Sequence, residues 1–156
     1  KIACKDIRVQ FVEKFFGNSR FDIGTIDLIK PEWKSDKISI YDHLKYKYVM
    51  ALEGNDVASN LKWIMSSNSI AVMPKPYYET WFMEGTLKPD YHYIEVKPDF
   101  SDLEEKMDYY TAHPDEAQAI INHAHEYVEQ FKDKQREDII SLMVLDKYFS
   151  LLKSKD

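Results

Sequence analysis

Hydrophobic residues first fall at helical spacing in DIRVQFVEKFFGN (6–18), where Ile7, Phe11, Val12, Phe15 and Phe16 share one face. Asp6 is placed to cap that helix, and Gly17-Asn18 to end it. The next stretch, SRFDIGTIDLIKPEWKSDK (19–37), has no clear period and carries Gly24 and Pro31. It reads as a loop-rich connection with a short strand near 21–23. Ser39, three residues before Asp42, is a weak N-cap for a short helix in IYDHLKYK (40–47).

From there strand and helix patterns alternate. KYVMALE (47–53) predicts a strand, and VASNLKWIMSSN (57–68) a helix with Leu61, Ile64 and Met65 on one face. SIAVMPK (69–75) predicts a buried strand stopped by Pro74, YYETWFMEG (77–85) a short aromatic helix closed by Gly85, and YHYIEVK (91–97) a third strand. Ser101 and Glu104 have the spacing of a capping box before DLEEKMDYYTAH (102–113). His113-Pro114 breaks that helix, and Pro114 suits the first turn of the next, which runs through 114–133. A last helical pattern covers 138–152. This order predicts an α/β fold with a Rossmann-like parallel sheet flanked by helices. Ligands of such sheets sit beyond the carboxyl ends of the strands, which here means the corner at 53–56, Lys75-Pro76 and Lys97.

Composition narrows the class. The 156 residues fit one domain, and 44% hydrophobic with 14% aromatic residues supply a core. The formal charge of −6 and only three arginines (Arg8, Arg20, Arg136) leave no basic stripe for nucleic acid. The single Cys4 cannot form an intramolecular disulfide, which favours a reducing compartment, and no apolar run reaches a membrane span. Lys1 is not a natural start, so the chain reads as a fragment of something longer.

One corner stands out. The sequence has four glycines, and one of them falls in LEGNDVASN (52–60), where a hydrophobic strand turns at once into a helix. Such a turn directs unpartnered N–H groups outward and can seat an anion such as a diphosphate, with Ser59 and Asn60 adding side-chain donors. An ordinary strand-to-helix corner is the commoner meaning of the same pattern, and neither a Walker A loop nor G-x-G-x-x-G is present. In PKPYYETWFMEG (74–85), two prolines stiffen the segment around Lys75, and Glu79 lies among aromatic residues. That carboxylate could take a ribose diol; equally, the rings could be core and Glu79 a solvated residue. His123 and His125 are two apart on a helix and cannot chelate one metal from it, and a lone Cys4 supplies neither a zinc site nor a convincing nucleophile. The acidic runs near 102–108 and 126–138 read as solvated helix faces. No pair of residues reads as nucleophile plus base.

The ordered run DHLKYKYVMALEGNDVASNLKWIMSSNSIAVMPKPYYETWFMEG (42–85), with YHYIEVKPDFSDLEEK (91–106), closely resembles glycosyltransferase family 90. That family groups bacterial lipopolysaccharide- and capsule-modifying transferases with the eukaryotic protein O-glucosyltransferases. The lipopolysaccharide branch is the more similar, and a weaker likeness extends back to Arg8 and FDIG (21–24). The resemblance implies a two-domain, GT-B-like enzyme, of which residues 1–156 are the C-terminal, nucleotide-sugar-binding half. It implies a donor loop at Gly54, Asn55, Asp56, Val57, Ala58, Ser59 and Asn60 holding the diphosphate of a UDP-sugar. Arg8 matches an upstream donor-associated arginine, and Glu79 an acidic residue after the second strand. Where the eukaryotic branch has an arginine, this chain has Asn60, with Lys62 as the nearest cation. The catalytic Asp belongs to the missing N-terminal domain, so no catalytic residue is expected in this chain. The implied reaction uses no metal and no cofactor beyond the UDP-sugar donor. Its acceptor is a hydroxyl of lipopolysaccharide or a related glycan. The expected location is the cytoplasm or the inner face of the inner membrane, with peripheral membrane association of the full enzyme compatible with it. The alternative is a noncatalytic glycan- or partner-binding module of the same fold.

Overall fold

The computed structural model describes residues 4–26 and 30–153. Helix α1 (Cys4–Phe15) leads through a 3-10 turn at Pro31–Trp33 into α2 (Ile40–His43), and β1 (Tyr48–Met50) follows. Next come α3 (Leu61–Met65), β2 (Ile70–Met73), a 3-10 turn at Glu84–Thr86 and β3 (Ile94–Glu95). The chain closes with α4 (Leu103–Ala112), α5 (Pro114–Glu129) and α6 (Lys134–Lys153). The three strands form one parallel sheet in the order β1-β2-β3, with Met50 beside Val72 and Val72 beside Ile94. The predicted Rossmann-like α/β architecture is present.

The sheet is buried on both faces, which explains why its strands are continuous apolar runs. Alternate residues separate into two cores. Ile70, Val72, Ile94 and Val96 pack against Phe11 and Phe15 of α1 and Leu103, Met107 and Tyr110 of α4. Ala71, Met73 and Tyr93 face the other way, against Leu61, Ile64 and Met65 of α3 and Ala124 and Val128 of α5. Helix α6 places no residue in either core, and its apolar side chains, from Ile139 to Leu152, are exposed.

Local signals account for several boundaries. Gly17, at φ 80°, occupies the left-handed position just beyond α1. Ser39 caps α2, its hydroxyl accepting from the Asp42 N–H at 3.2 Å. Pro114 opens α5. Other expectations are corrected. The described part of α1 already includes Asp6, which is therefore not its cap. No strand forms at 21–23; Phe21 and Ile23 pack against the first core instead, and a single bridge joins Thr25 to Lys34. Residues 27–29 of that connection lie outside the described residues. The capping box fails because Asp102, not Ser101, holds the N-cap position, and the Glu104 carboxylate accepts from Asn18 Nδ2 at 2.8 Å.

The largest correction concerns 77–85, where no helix forms. Its first donors are taken from elsewhere: Tyr77 and Tyr78 give their N–H groups to the Glu53 carboxylate. Thr80 gives both its N–H (2.7 Å) and its hydroxyl (2.8 Å) to Glu84. Met83 then adopts φ 53° before the 3-10 turn. Phe82 stacks on Phe131, with ring centres 5.0 Å apart, so tertiary packing sets the path of this segment.

Candidate functional site

The corner between β1 and α3 lies at the carboxyl end of the sheet. It is a bent loop from Gly54 to Val57, followed by a turn into α3. Gly54 N–H bonds the Asp56 carbonyl at 2.9 Å, and Val57 N–H bonds the Asp56 side chain at 2.8 Å. Ala58 is buried in the second core. Among the described residues, the N–H groups of Asn55, Asp56, Ala58, Ser59 and Asn60 meet no protein acceptor. A cluster of such donors is the physical requirement for holding an anion.

Arg8 reaches this corner from α1. Its guanidinium donates from Nη2 to the Leu52 carbonyl at 2.8 Å, and from Nε to the Glu53 carbonyl at 3.1 Å. A β-carbon on Gly54 would stand 3.0 Å from Arg8 Cζ, so any side chain here would have to displace the guanidinium from its present position. Asn60 ties the far side of the corner to the strand, its Nδ2 donating to the Met50 carbonyl at 2.9 Å. Arg8, Ser59 and Asn60 all line a cleft of about 920 Å³ that runs beside β1.

Lys62 and Glu79 do not line that cleft. The Lys62 ammonium pairs with Glu84 Oε1 at 3.2 Å and lies over the rings of Trp81 and Phe82. Burial alone would raise the Glu84 pKa, but the bonds from Thr80 and Lys62 outweigh it and hold the carboxyl below its ordinary value. Glu79 rests against Gly85, where a β-carbon would meet its Oε1 at 3.2 Å. A smaller pocket of about 210 Å³, lined by Lys75, Pro76, Gly85, Tyr93 and Glu95, opens at the ends of β2 and β3. No group of three His, Cys, Asp or Glu side chains suited to a metal ion occurs among the described residues.

Two residues of this region escape sequence reasoning. Glu53 binds the loop after β2 through its carboxylate, and Glu84 is a buried ion-pair partner. An acid directly before a glycine, in each case at the end of an apolar run, is the one signal the sequence offers.

A parallel α/β sheet with unpartnered N–H groups at its carboxyl edge is a fold of the class whose ligands sit beyond the strand ends. The profile described as "Glycosyl transferase family 90" matches residues 6–156, and the chain belongs to that family. It is 44% identical over 154 residues to "O-glucosyltransferase LpsA" of Dichelobacter nodosus, covering 97% of this chain and 48% of that protein. It is 28% identical over 123 residues to "Protein O-glucosyltransferase 3" of Homo sapiens, covering 78% of this chain and 24% of that one. The chain thus spans about half the length of the bacterial relative, and less of the human one.

Proposed function

We propose that this chain is the donor-binding half of a two-domain glycosyltransferase. In this reading it holds a UDP-sugar for transfer to a hydroxyl of lipopolysaccharide or a related glycan, at the cytoplasmic face of the membrane. No described helix is long and apolar enough to cross a membrane. The printed names of the relatives favour glucose as the sugar. The observation that carries the reading is the corner itself: unpartnered N–H groups at Asn55, Asp56, Ser59 and Asn60 beside the Arg8 guanidinium, all in a chain of this family.

Each residue has a distinct task. The free N–H groups and Arg8 offset the charge that develops on the UDP leaving group as the glycosidic bond to phosphate breaks. Asn60 fixes the corner to β1, and Ala58 anchors it in the core, so these donors are held in place before substrate arrives. Glu79 is assigned the ribose hydroxyls. Lys62 enters only through Glu84, by holding the 80–84 segment. The base that takes the acceptor proton is assigned to the other half of the enzyme, so rate comes from bringing two halves together.

The test is titration of this chain with UDP followed by amide NMR, in wild type and in Asn60→Ala and Glu79→Ala. Saturable shifts centred on 54–60 and 79, weaker in both variants, are expected. Absence of any shift at millimolar UDP would overturn the reading.

A further inference from the structure

Glu53 lies where three elements converge. Its carbonyl accepts from Arg8 Nε on α1 at 3.1 Å. Its carboxylate accepts from the loop after β2: Oε1 from Tyr77 N–H at 3.1 Å and Tyr78 N–H at 3.0 Å, and Oε2 from Tyr77 N–H at 3.1 Å. The composition of that loop makes this contact unusual. Pro74 and Pro76 have no N–H, so between 74 and 78 only Lys75, Tyr77 and Tyr78 carry backbone donors. Glu53 takes two of these three. The carboxylate therefore does for this segment what a helix N-cap does for a helix, but from 24 residues away along the chain.

We infer that Glu53 is a positioning residue of the donor site, splinting the loop that carries Tyr77, Tyr78 and Glu79 to the corner at 54–60. The inference rests on the donor reading above. It explains how an acidic side chain can adjoin a diphosphate seat: its charge is spent on two N–H groups. It also sets the span between the groups assigned to phosphate and the carboxylate assigned to ribose. A ligand that bridges both loops binds well only when that span is fixed in advance.

Two substitutions separate splinting from charge. In Glu53→Gln the amide oxygen, placed as Oε1 is now, can still accept both N–H groups, while the charge and the second Tyr77 contact at Oε2 are gone. In Glu53→Asp the charge stays, but the side chain is one methylene too short to reach them. Splinting therefore predicts that Glu53→Gln binds UDP within about twofold of wild type and that Glu53→Asp weakens it about tenfold, since the shorter side chain loses its bonds to the loop. Hydrogen exchange at the Tyr77 and Tyr78 amides should accelerate in Glu53→Asp and Glu53→Ala and stay near wild type in Glu53→Gln. Gln weaker than Asp, or equal binding by Asp and wild type, overturns the inference. A wild-type chain that ignores UDP fails the donor reading, and this inference with it. A wild-type chain that binds UDP while Asp and Gln variants behave alike fails the inference only. Should Glu53→Ala not fold, the Asp and Gln pair decides the matter alone.

Discussion

The Arg8 guanidinium lies against Gly54 so closely that a β-carbon there would stand 3.0 Å from its Cζ. The same guanidinium ties down the carbonyls of Leu52 and Glu53. The lone glycine of the corner and the arginine of α1 therefore form one unit, although 46 positions separate them (54 minus 8).

Gly54→Ala should push Arg8 off those carbonyls. Because Arg8 is exposed and can move, the stability cost should be about 1 kcal/mol or less, while UDP affinity falls more clearly. Arg8→Lys should likewise weaken binding, since an ammonium cannot reproduce the two-atom contact of the guanidinium. Urea unfolding and UDP titration of the three proteins check both statements. Equal UDP affinity in Gly54→Ala would argue against any role of this contact in the site.

Lys62 and Glu84 form the most deeply placed ion pair of the described residues, with Glu84 2% exposed. Lys62→Met should leave a buried carboxylate with Thr80 as its remaining partner. The expected loss is about 3 kcal/mol, at the low end of the range because the lysine is a quarter exposed. The double variant Lys62→Met with Glu84→Gln should recover part of it. Thermal melting of the two variants is the measurement; equal melting temperatures would contradict the pairing.

Stability should fall at mildly acid pH. His92 Nδ1 accepts from Lys88 N–H at 3.0 Å, which requires the unprotonated nitrogen. Burial, then the neighbouring Lys88 and His123, hold the His92 pKa below its ordinary value of 6.5, against a smaller opposing effect of Glu126. The unfolded chain thus binds the proton first. The contribution of His92 is present above the unfolded pKa and is lost as pH falls through the folded one. Melting curves between pH 8 and 5 should show this decline, and His92→Gln should flatten it.

Concentration should matter as well. Helix α6 exposes Leu142, Met143, Val144 and Phe149 by more than half of their surfaces, well beyond the scattered apolar residues of an ordinary surface. Light scattering across a concentration series should reveal self-association of this chain. Leu142→Lys with Phe149→Lys should suppress it without lowering the melting temperature.

The pattern of the chain made the sheet legible because each strand is a short apolar run with a stop signal, as Pro74 stops β2. The strand-to-helix corner at 53–60 was legible because glycine is scarce and this one follows a strand. The 77–85 segment was not, since its donors go to Glu53 and its acid is satisfied by Lys62, partners that no local window contains. For the same reason Glu53 was legible only as part of the 53–56 corner and not as the partner of Tyr77 and Tyr78, whereas Arg8 emerged only through the family resemblance. The strand expected at 21–23 failed because its apolar residues found the first core without pairing to a neighbour.

Both cores close without α6. At 20 residues the helix is about 30 Å long, and Arg136 Nη1 bonds the Gln130 carbonyl at 3.1 Å near its base. It is an arm laid outside the packing, and neither core leans on it. The domain's own folding places little constraint on its sequence, so substitutions along it should be silent in a melting curve and felt only by whatever its exposed face meets.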